Sequence, residues 1–503
     1  MSVLVLGVFH GNSFAPIHLL QLLLRCWLPA WKGLELRCSM FALGSRISAV
    51  AVRQDFRISA FGLRISSLPG QWDFTRYPPP PLDLTMVHAR RSHFFFLMKP
   101  FLPLFVFIDA CGWEIIKNDP FLQTLAPNRK RLESVFGYSS ACVPSILSGR
   151  WPVEHRNWSY FVYDPKHSPF ERLRALRWLP SALTSRRICR RWLSSWVKKS
   201  LGFRGYFDLY NIPFRDIGLY DFTEKKSPFQ PGGLNRGPNI VDYLLAKRIP
   251  FSVSSPEADE ATNLAALTRD LVSERIAFAL LYWPGLDGLL HSVGNRSPKV
   301  PAKLRVYEQW LAELMKIARS HYEEVRLYVF SDHGMANCDE FLDLKSRIDK
   351  LSLRVPVDYA VVFDSTMARF WFFNERARKQ ITECLKKIPQ GRIVPDAELQ
   401  DLGTLFPDRH FGELIFLVDE GVLIVPSHMG ERPIRAMHGY HPSAPHSYAA
   451  LCTNQSEIPA NISAIPDLYR LMTRDADLAV APAMNRPNLN LPLSLPLSLK
   501  SRI

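Results

Sequence analysis

The stretch PLFVFID, residues 103–109, decides the fold expected for this chain. Its uninterrupted apolar residues are typical of a strand that is buried on both faces of a parallel sheet. Similar apolar runs occupy residues 276–283 and 325–330, and each ends at or just before an acid-bearing segment. Helical patterns, for example at residues 258–272 and 301–321, lie between these runs. The alternation predicts an α/β core with a mostly parallel sheet, helices on both faces and a site at the carboxyl ends of the strands.

Five short segments contain the side chains that a metal site needs. They are FID at 107–109, GYSSA at 137–141, DGLLH at 287–291, SDHGM at 331–335 and HGY at 438–440. Carboxylates and imidazoles that converge on one pocket are the ligands that borderline metals such as zinc select. Asp287 and His291 stand one helical turn apart, so both can bind one ion. A serine hydroxyl at the start of a helix gains from the positive end of the helix dipole, which suits a nucleophile.

Each segment alone has an ordinary structural explanation. An aspartate at a strand end is usually a helix cap, and a His-Gly pair is usually a turn. SDHGM is the hardest to explain in this way, because burying two adjacent ionisable side chains is costly without a partner. Their common order and chemistry therefore predict a site. Four further histidines are expected at most to support ligands or contact substrate: His155, His428, His441 and His446.

Taken in order, the five segments resemble the alkaline phosphatase superfamily, in particular the type I phosphodiesterase/nucleotide pyrophosphatase family. The similarity runs from about residue 105 to residue 454. It implies an alkaline-phosphatase-like three-layer core and hydrolysis of a phosphate ester, a diester or pyrophosphate rather than a monoester. It also implies two divalent ions, a serine nucleophile and a covalent phosphoserine intermediate. The histidine content favours zinc, with manganese or another divalent ion as the alternative.

The resemblance also implies two sets of metal ligands. One ion would be held by Asp109, Ser139, Asp332 and His333. The other would be held by Asp287, His291 and His438. In this family the nucleophile usually lies ten residues before the glycine of a Thr/Ser-Gly pair, which indicates Ser139 here. The proline expected two residues after the nucleophile is absent and Pro144 comes three positions late, so Ser140 remains the alternative.

Three other functions compete with a phosphodiesterase. Residues 142–145, CVPS, resemble the start of the sulfatase motif, but that motif requires arginine next and position 146 is isoleucine. We therefore expect Cys142 to be a small buried apolar residue. A phosphotransferase or mutase on the same scaffold would pass phosphate to an acceptor other than water. A membrane-associated non-catalytic relative is disfavoured, because every expected ligand side chain is present.

A basic segment at residues 171–204 separates the serine segment from the second ligand group. Its ten arginines and lysines face one acid, Glu171, and the tryptophans Trp178, Trp192 and Trp196 are interleaved with them. Such a stretch suits an anionic surface, whether lipid headgroups, phosphates or a substrate that is a nucleotide or lipid-linked. The alternative is a solvated helical face over a core. We predict a cap with peripheral membrane contact, and no specific nucleic-acid partner.

Composition limits the class of protein and the compartment that can be expected. The chain has 503 residues, 47% of them hydrophobic, and no run of eighteen apolar residues that would predict a transmembrane helix. Eight cysteines without a CxxC pair argue against a disulfide framework and against a cysteine-rich zinc site. A reducing compartment is the default expectation, with a cytoplasmic or peripheral membrane location favoured and export still open.

Changes of composition and periodicity along the chain predict five parts. Residues 1–98 are atypical and are expected to be a disordered or mis-assigned extension, with a genuine disordered or membrane-associated leader as the alternative. Residues 99–340 form the α/β core, and residues 341–426 a small inserted α+β subdomain. Residues 427–481 end the core and carry the last ligand. The tail at 482–503, with its Leu-Pro-Leu-Ser repeats, is expected to be disordered.

Overall fold

Residues 99–178 and 187–481 are described by the computed structural model of the chain. The predictions for residues 1–98, for residues 482–503 and for the middle of the basic segment, residues 179–186, lie outside the described residues. The limits of the five predicted parts stay a prediction.

The described residues form sixteen strands and twelve α-helices. The strands are β1 (Lys99–Ile108), β2 (Asn128–Leu132), β3 (Phe161–Tyr163), β4 (Tyr220–Phe222), β5 (Phe251–Val253), β6 (Phe278–Trp283), β7 (Tyr322–Phe330), β8 (Ala336–Asn337), β9 (Glu340–Leu342), β10 (Tyr359–Phe363), β11 (Met367–Phe372), β12 (Gly391–Ile393), β13 (Leu414–Val418), β14 (Val422–Ile424), β15 (Ala436–Met437) and β16 (Ala449–Thr453). The helices are α1 (Trp113–Ile116), α2 (Ser139–Ser148), α3 (Pro152–His155), α4 (Arg187–Leu201), α5 (Ile240–Ala246), α6 (Glu260–Val272), α7 (Gly285–Val293), α8 (Lys299–His321), α9 (Leu344–Asp349), α10 (Glu375–Leu385), α11 (Asp396–Asp401) and α12 (Leu468–Val480).

A six-stranded sheet with the order β2-β16-β7-β1-β6-β5 organises the core. Strand β1 pairs in parallel with both β7 and β6, and β6 pairs in parallel with β5. Strand β16 runs antiparallel to β7 and to β2. The three predicted apolar runs are the strands β1, β6 and β7, and the mostly parallel sheet is confirmed.

The apolar run in β1 is explained by burial on both of its faces. Phe105 and Phe107 pack in the cluster that contains α2, α5 and α12, whereas Val106 and Ile108 pack in the cluster that contains α6, α7 and α8. All four side chains have no solvent exposure. Each contributes about 1.5–3 kcal/mol of hydrophobic stabilisation relative to an exposed position. Because both faces are covered by helices, the core has the three layers that were expected.

A second sheet, antiparallel and ordered β10-β11-β13-β12, lies inside the predicted insertion. Residues 359–372 form a hairpin, in which three polar residues, Asp364, Ser365 and Thr366, form the turn between β10 and β11. Arg369 donates to Asp364 at 2.8 Å and stabilises this buried turn. The next two strands of the chain belong to different sheets, since β13 joins this sheet and β14 pairs with β9.

The described part of the basic segment contains the 3-10 helix Glu171–Trp178 and α4. The inner face of α4 buries Leu193 and Val197, while Ile188 and Trp196 are exposed. Among the described residues, no helix combines the length and apolar character that a membrane span requires.

Candidate metal centre

The expected ligands meet where the central parallel strands end. Asp109 follows β1 directly, and Asp332 and His333 follow β7. Helix α7 begins shortly after β6 and carries Asp287 and His291. Two more side chains come from elsewhere in the chain, namely Ser139, the first residue of α2, and His438, which follows β15. The seven predicted residues therefore come from five separate segments, as the sequence indicated.

Asp109, Asp332 and His333 form one possible metal group, with ligand atoms within 4.8 Å of one another. The His333 Nε2 atom lies 3.1 Å from Asp332 Oδ2, 3.7 Å from Asp109 Oδ1 and 3.0 Å from the Ser139 Oγ. His333 Nδ1 lies 2.8 Å from the Gly334 carbonyl oxygen, so we assign the proton to Nδ1, which donates to it. Nε2 therefore faces the two carboxylates and the serine, and it is the nitrogen on which a bound cation would replace a proton.

Asp287, His291 and His438 form the second group. The Oδ1 atom of Asp287 lies 3.3 Å from His291 Nε2 and 3.6 Å from His438 Nε2. His291 Nδ1 donates to the Ala436 carbonyl oxygen at 2.9 Å, which again leaves Nε2 open. The rings of His333 and His438 stack with their centroids 3.8 Å apart, so the two groups adjoin. Asp287 and His291 are 23% and 26% exposed at their side chains, and the centre is therefore open on this side.

The carboxylates fit divalent cations because each directs an unpartnered oxygen into the centre. Asp109 Oδ1, Asp287 Oδ1 and Asp332 Oδ2 are buried and have no hydrogen-bond partner among the described residues. Burial, together with the charges of Asp332 and Asp287, raises the pKa of Asp109 well above its usual value. Burial opposes charge on His333 as well, but the neighbouring carboxylates raise its pKa to about 10. Bound cations would replace this mutual repulsion among buried acids with attraction.

The second oxygen of two of these carboxylates is held by a hydrogen bond. The Tyr282 hydroxyl donates to Asp109 Oδ2 at 2.6 Å. The backbone N–H groups of Ala110 and His333 donate to Asp332 Oδ1 at 3.2 and 3.0 Å. Ala110 has a left-handed φ of 61°, a strained conformation for alanine that aims its N–H at Asp332. Tyr282 was not predicted from the sequence, although its hydroxyl is the only polar side-chain group in the apolar strand β6 apart from the Trp283 indole N–H.

The two candidate serines differ in what their hydroxyls contact. Ser139 Oγ lies 3.0 Å from His333 Nε2, at the edge of the first group. Ser140 is buried, and its hydroxyl donates to the Trp158 carbonyl oxygen at 2.9 Å. No side chain caps the N-terminus of α2, so the positive end of its dipole faces the centre unopposed beside Ser139.

A family model described as type I phosphodiesterase/nucleotide pyrophosphatase matches residues 104–441 of the chain. The chain belongs to this family. It is a phosphoric ester hydrolase, and its relatives generally depend on divalent metal ions and act on phosphate-ester or nucleotide substrates. No curated protein matches the chain.

Solved structures with the same fold include ectonucleotide pyrophosphatase/phosphodiesterase 5 from human and from mouse. Both reach a TM-score of 0.54 at 14% and 15% identity, over 76% of this chain and 96% of theirs. An inactive variant of the murine protein in complex with AMP matches equally well, with 14% identity. The alkaline-phosphatase-like fold expected from the sequence is confirmed.

In this family member, three hydrogen bonds made by Thr366, called the Thr366 lock, connect the serine segment to the last histidine segment. Thr366 donates its N–H to the Tyr138 hydroxyl at 3.0 Å, and its own hydroxyl donates to the Gly439 carbonyl oxygen at 2.8 Å. The Tyr138 hydroxyl completes the lock by donating to Thr366 Oγ1 at 2.8 Å. Tyr138 precedes Ser139 and Gly439 follows His438, so the insertion hairpin positions both.

Gly439→Ala should damage this lock. Gly439 has a φ of +89°, and an added Cβ would lie 2.5 Å from the Tyr138 ring. We expect a loss of about 2 kcal/mol or more in the free energy of unfolding, together with lower turnover, because the ring and His438 must both move. Chemical denaturation and steady-state assays measure the two effects. Gly430→Ala is the matched control, since its nearest atom would be 3.8 Å away. Equal behaviour of the two variants would contradict the lock.

Helix α7 is held at its first residue by a side chain from α6. Glu260 Oε1 accepts from the Gly285 N–H at 2.7 Å and from the Tyr307 hydroxyl, while Oε2 accepts from Lys303 at 2.8 Å. Pro284, at the N-cap of α7, provides no side-chain cap. Glu260 therefore acts as the cap for the helix that carries Asp287 and His291.

Glu260→Ala should loosen the second metal group. We expect about tenfold or weaker affinity for one divalent ion, because α7 loses its anchor while its ligands remain. Competition with a coloured chelator measures the affinity, and Glu313→Ala, an exposed glutamate on α8, is the control. Unchanged affinity in Glu260→Ala would show that Glu260 is only structural.

The four additional histidines form their hydrogen bonds and ion pairs outside the two ligand groups. His155 Nδ1 accepts from the Asn157 N–H, and its Nε2 lies 2.9 Å from the Ser145 hydroxyl, so burial lowers its pKa to about 3 and keeps it neutral. His428 accepts from the Phe363 N–H, and burial likewise lowers its pKa to about 3. The remaining two pair with carboxylates, His441 with Glu398 and His446 with Glu420.

Proposed function

We propose that the chain hydrolyses phosphodiester or pyrophosphate bonds, with Ser139 as the nucleophile and two divalent ions as cofactors. The observation that carries the proposal is the position of Ser139 Oγ, 3.0 Å from His333 Nε2, beside two carboxylates with unpartnered oxygens. A nucleophile, a set of cation ligands and an open side for substrate coincide at this one place.

The residues divide into two ligand sets. Asp109, Asp332 and His333, with the Ser139 hydroxyl, would hold one ion. Asp287, His291 and His438 would hold the other. When bound, two such ions act as Lewis acids that lower the pKa of a hydroxyl and neutralise charge on phosphoryl oxygens. The donor set of three imidazoles and three carboxylates suits zinc best, and manganese is the alternative.

The remaining work falls to the protein itself. Attack by Ser139 Oγ forms an O–P bond and breaks the bond to the leaving group, and water then cleaves the serine ester. The uncapped N-terminus of α2 presents positive charge to the phosphoryl oxygens. Tyr282 orients Asp109, and the backbone of Ala110 orients Asp332, so the ligands are positioned before substrate arrives.

A panel of three chromogenic esters tests the proposed reaction. Bis(para-nitrophenyl) phosphate should be turned over faster than para-nitrophenyl phosphate, and para-nitrophenyl sulfate should be turned over slowest. Faster turnover of the monoester by the metal-loaded protein, or of the sulfate, would overturn the assignment. Product analysis with and without an added alcohol separates hydrolysis from phosphotransfer to that alcohol.

A further inference from the structure

Helix α4 is anchored through one face and presents the other to solvent. On the inner face, Arg190 donates to the carbonyl oxygens of Tyr210 and Ile212 at 2.7 and 2.9 Å and lies over the Phe214 ring. Ser194 donates to Asp208 at 2.8 Å on the same face. These buried bonds fix the rotation of the helix, and the opposite face must point away from the protein.

The outer face of α4 combines an apolar stripe with a basic one. Ile188, Trp192 and Trp196 follow one another at intervals of four residues, so their side chains share one face. Ile188 is 79% exposed, Trp196 is 39% exposed and Trp192 is half-buried. Arg191 and Lys199 stand beside this stripe, and no carboxylate in the described part of the chain lies within ion-pair distance of either.

Exposed apolar side chains are frequent in the part of the chain that contains this helix. Twelve large apolar residues are exposed in the described part of the chain, and five of them lie between residues 178 and 206: Trp178, Ile188, Trp196, Leu201 and Tyr206. A soluble surface rarely gathers large apolar side chains in this way without a partner. Ile188 and Trp196, the two of these five that lie on the outer face of α4, indicate that this face is covered in use.

The chemistry of the face favours a lipid partner over a nucleic acid. Tryptophan and tyrosine are enriched at the boundary between acyl chains and headgroups, and flanking arginines and lysines attract anionic headgroups. A phosphate backbone would use the cations and could stack on the aromatic rings, but it offers no apolar environment for Ile188.

We propose that the outer face of α4 docks the protein on an anionic lipid bilayer. The helix lies in the headgroup plane with Ile188, Trp192 and Trp196 directed toward the acyl chains, while Arg191 and Lys199 pair with headgroup phosphates. The docking goes beyond the proposed hydrolysis and does not depend on it, since none of these side chains belongs to the metal centre.

Vesicle flotation with the full-length protein tests the docking. The protein should float with phosphatidylglycerol-rich vesicles and remain behind with pure phosphatidylcholine. The double variant Arg191→Gln/Lys199→Gln should bind the anionic vesicles about 30-fold more weakly, because each cation near such a surface contributes a factor of about five. Ile188→Ser/Trp196→Ser should also reduce binding, at any salt concentration.

Matched controls separate docking from a general effect of charge or folding. Lys316→Gln/Arg319→Gln removes two exposed cations from α8, and Leu245→Ser removes an exposed apolar side chain from α5. Both should bind vesicles like the unaltered protein, and all variants should retain turnover of a soluble chromogenic diester. The proposal is overturned if the unaltered protein ignores anionic vesicles, or if the controls lose as much binding as the α4 variants. It is also overturned if the α4 variants lose binding to short RNA while vesicle binding is unaffected.

Discussion

Ser139→Ala should lower kcat on a phosphodiester by about four orders of magnitude or more, as expected when a covalent nucleophile is removed. Its hydroxyl is the serine oxygen that lies beside His333 and the first carboxylate pair. The residual rate would reflect only the cations and the binding of substrate. Rapid-quench kinetics followed by mass spectrometry should trap a phosphoryl adduct on the peptide that contains Ser139 in the unaltered enzyme.

Ser140→Ala is the internal control for this prediction. It removes the bond to the Trp158 carbonyl oxygen, so we expect a loss of about 1–2 kcal/mol in the free energy of unfolding with turnover changed little. If Ser140→Ala abolished turnover in a folded protein while Ser139→Ala did not, the nucleophile would be the second serine. Full activity in both single variants would remove serine from the mechanism.

Removal of the divalent ions should also lower the turnover of a phosphodiester by a large factor. The intact enzyme is expected to contain two ions per chain by elemental analysis, and a strong chelator should reduce turnover by about three orders of magnitude or more. The melting temperature should fall as well, because ions that bind only the folded state stabilise it. In their absence, Asp109, Asp287 and Asp332 remain buried close together with unpartnered oxygens.

His438→Ala refines this measurement. It leaves the second group with Asp287 and His291 only, so the metal content should fall from two ions to one. His446→Ala is the control, because His446 pairs with Glu420 at 2.6 Å and belongs to neither group. Full activity with one ion or none per chain would contradict the two-ion proposal.

Much of the core could be predicted from sequence for a simple reason. Burial on both faces keeps β6 and residues 101–108 of β1 apolar, and the end of β7 is apolar apart from Arg326, so the strands appear as apolar runs whose ends mark the expected ligands. The hairpin at β10 and β11 was harder to predict, because its two largely apolar strands are separated by only three polar residues, 364–366. So short a polar interruption does not by itself show that the chain reverses there.

The sequence indicated which residues form the candidate site, but not which atoms their side chains contact. The family resemblance implied seven side chains, which the structure brings together in two groups with Ser139 beside the first, and their roles stay a prediction. It left Ser139 and Ser140 open because Pro144 is displaced from its expected place. One residue along a helix rotates a side chain by about 100°, which separates a hydroxyl facing the centre from one facing the core. Tyr282 and Glu260 were missed because their partners are distant in sequence, 173 and 25 residues away respectively.

Through Thr366, the small antiparallel sheet helps to position residues of the candidate metal centre. Its single side chain and N–H connect Tyr138, which precedes the proposed nucleophile, to Gly439, which follows His438. A shorter or re-designed hairpin would therefore misalign two distant parts of the centre at once, even though no hairpin residue is among the proposed ligands. Engineering of this enzyme should leave that loop intact and diversify the outer edge of its sheet instead.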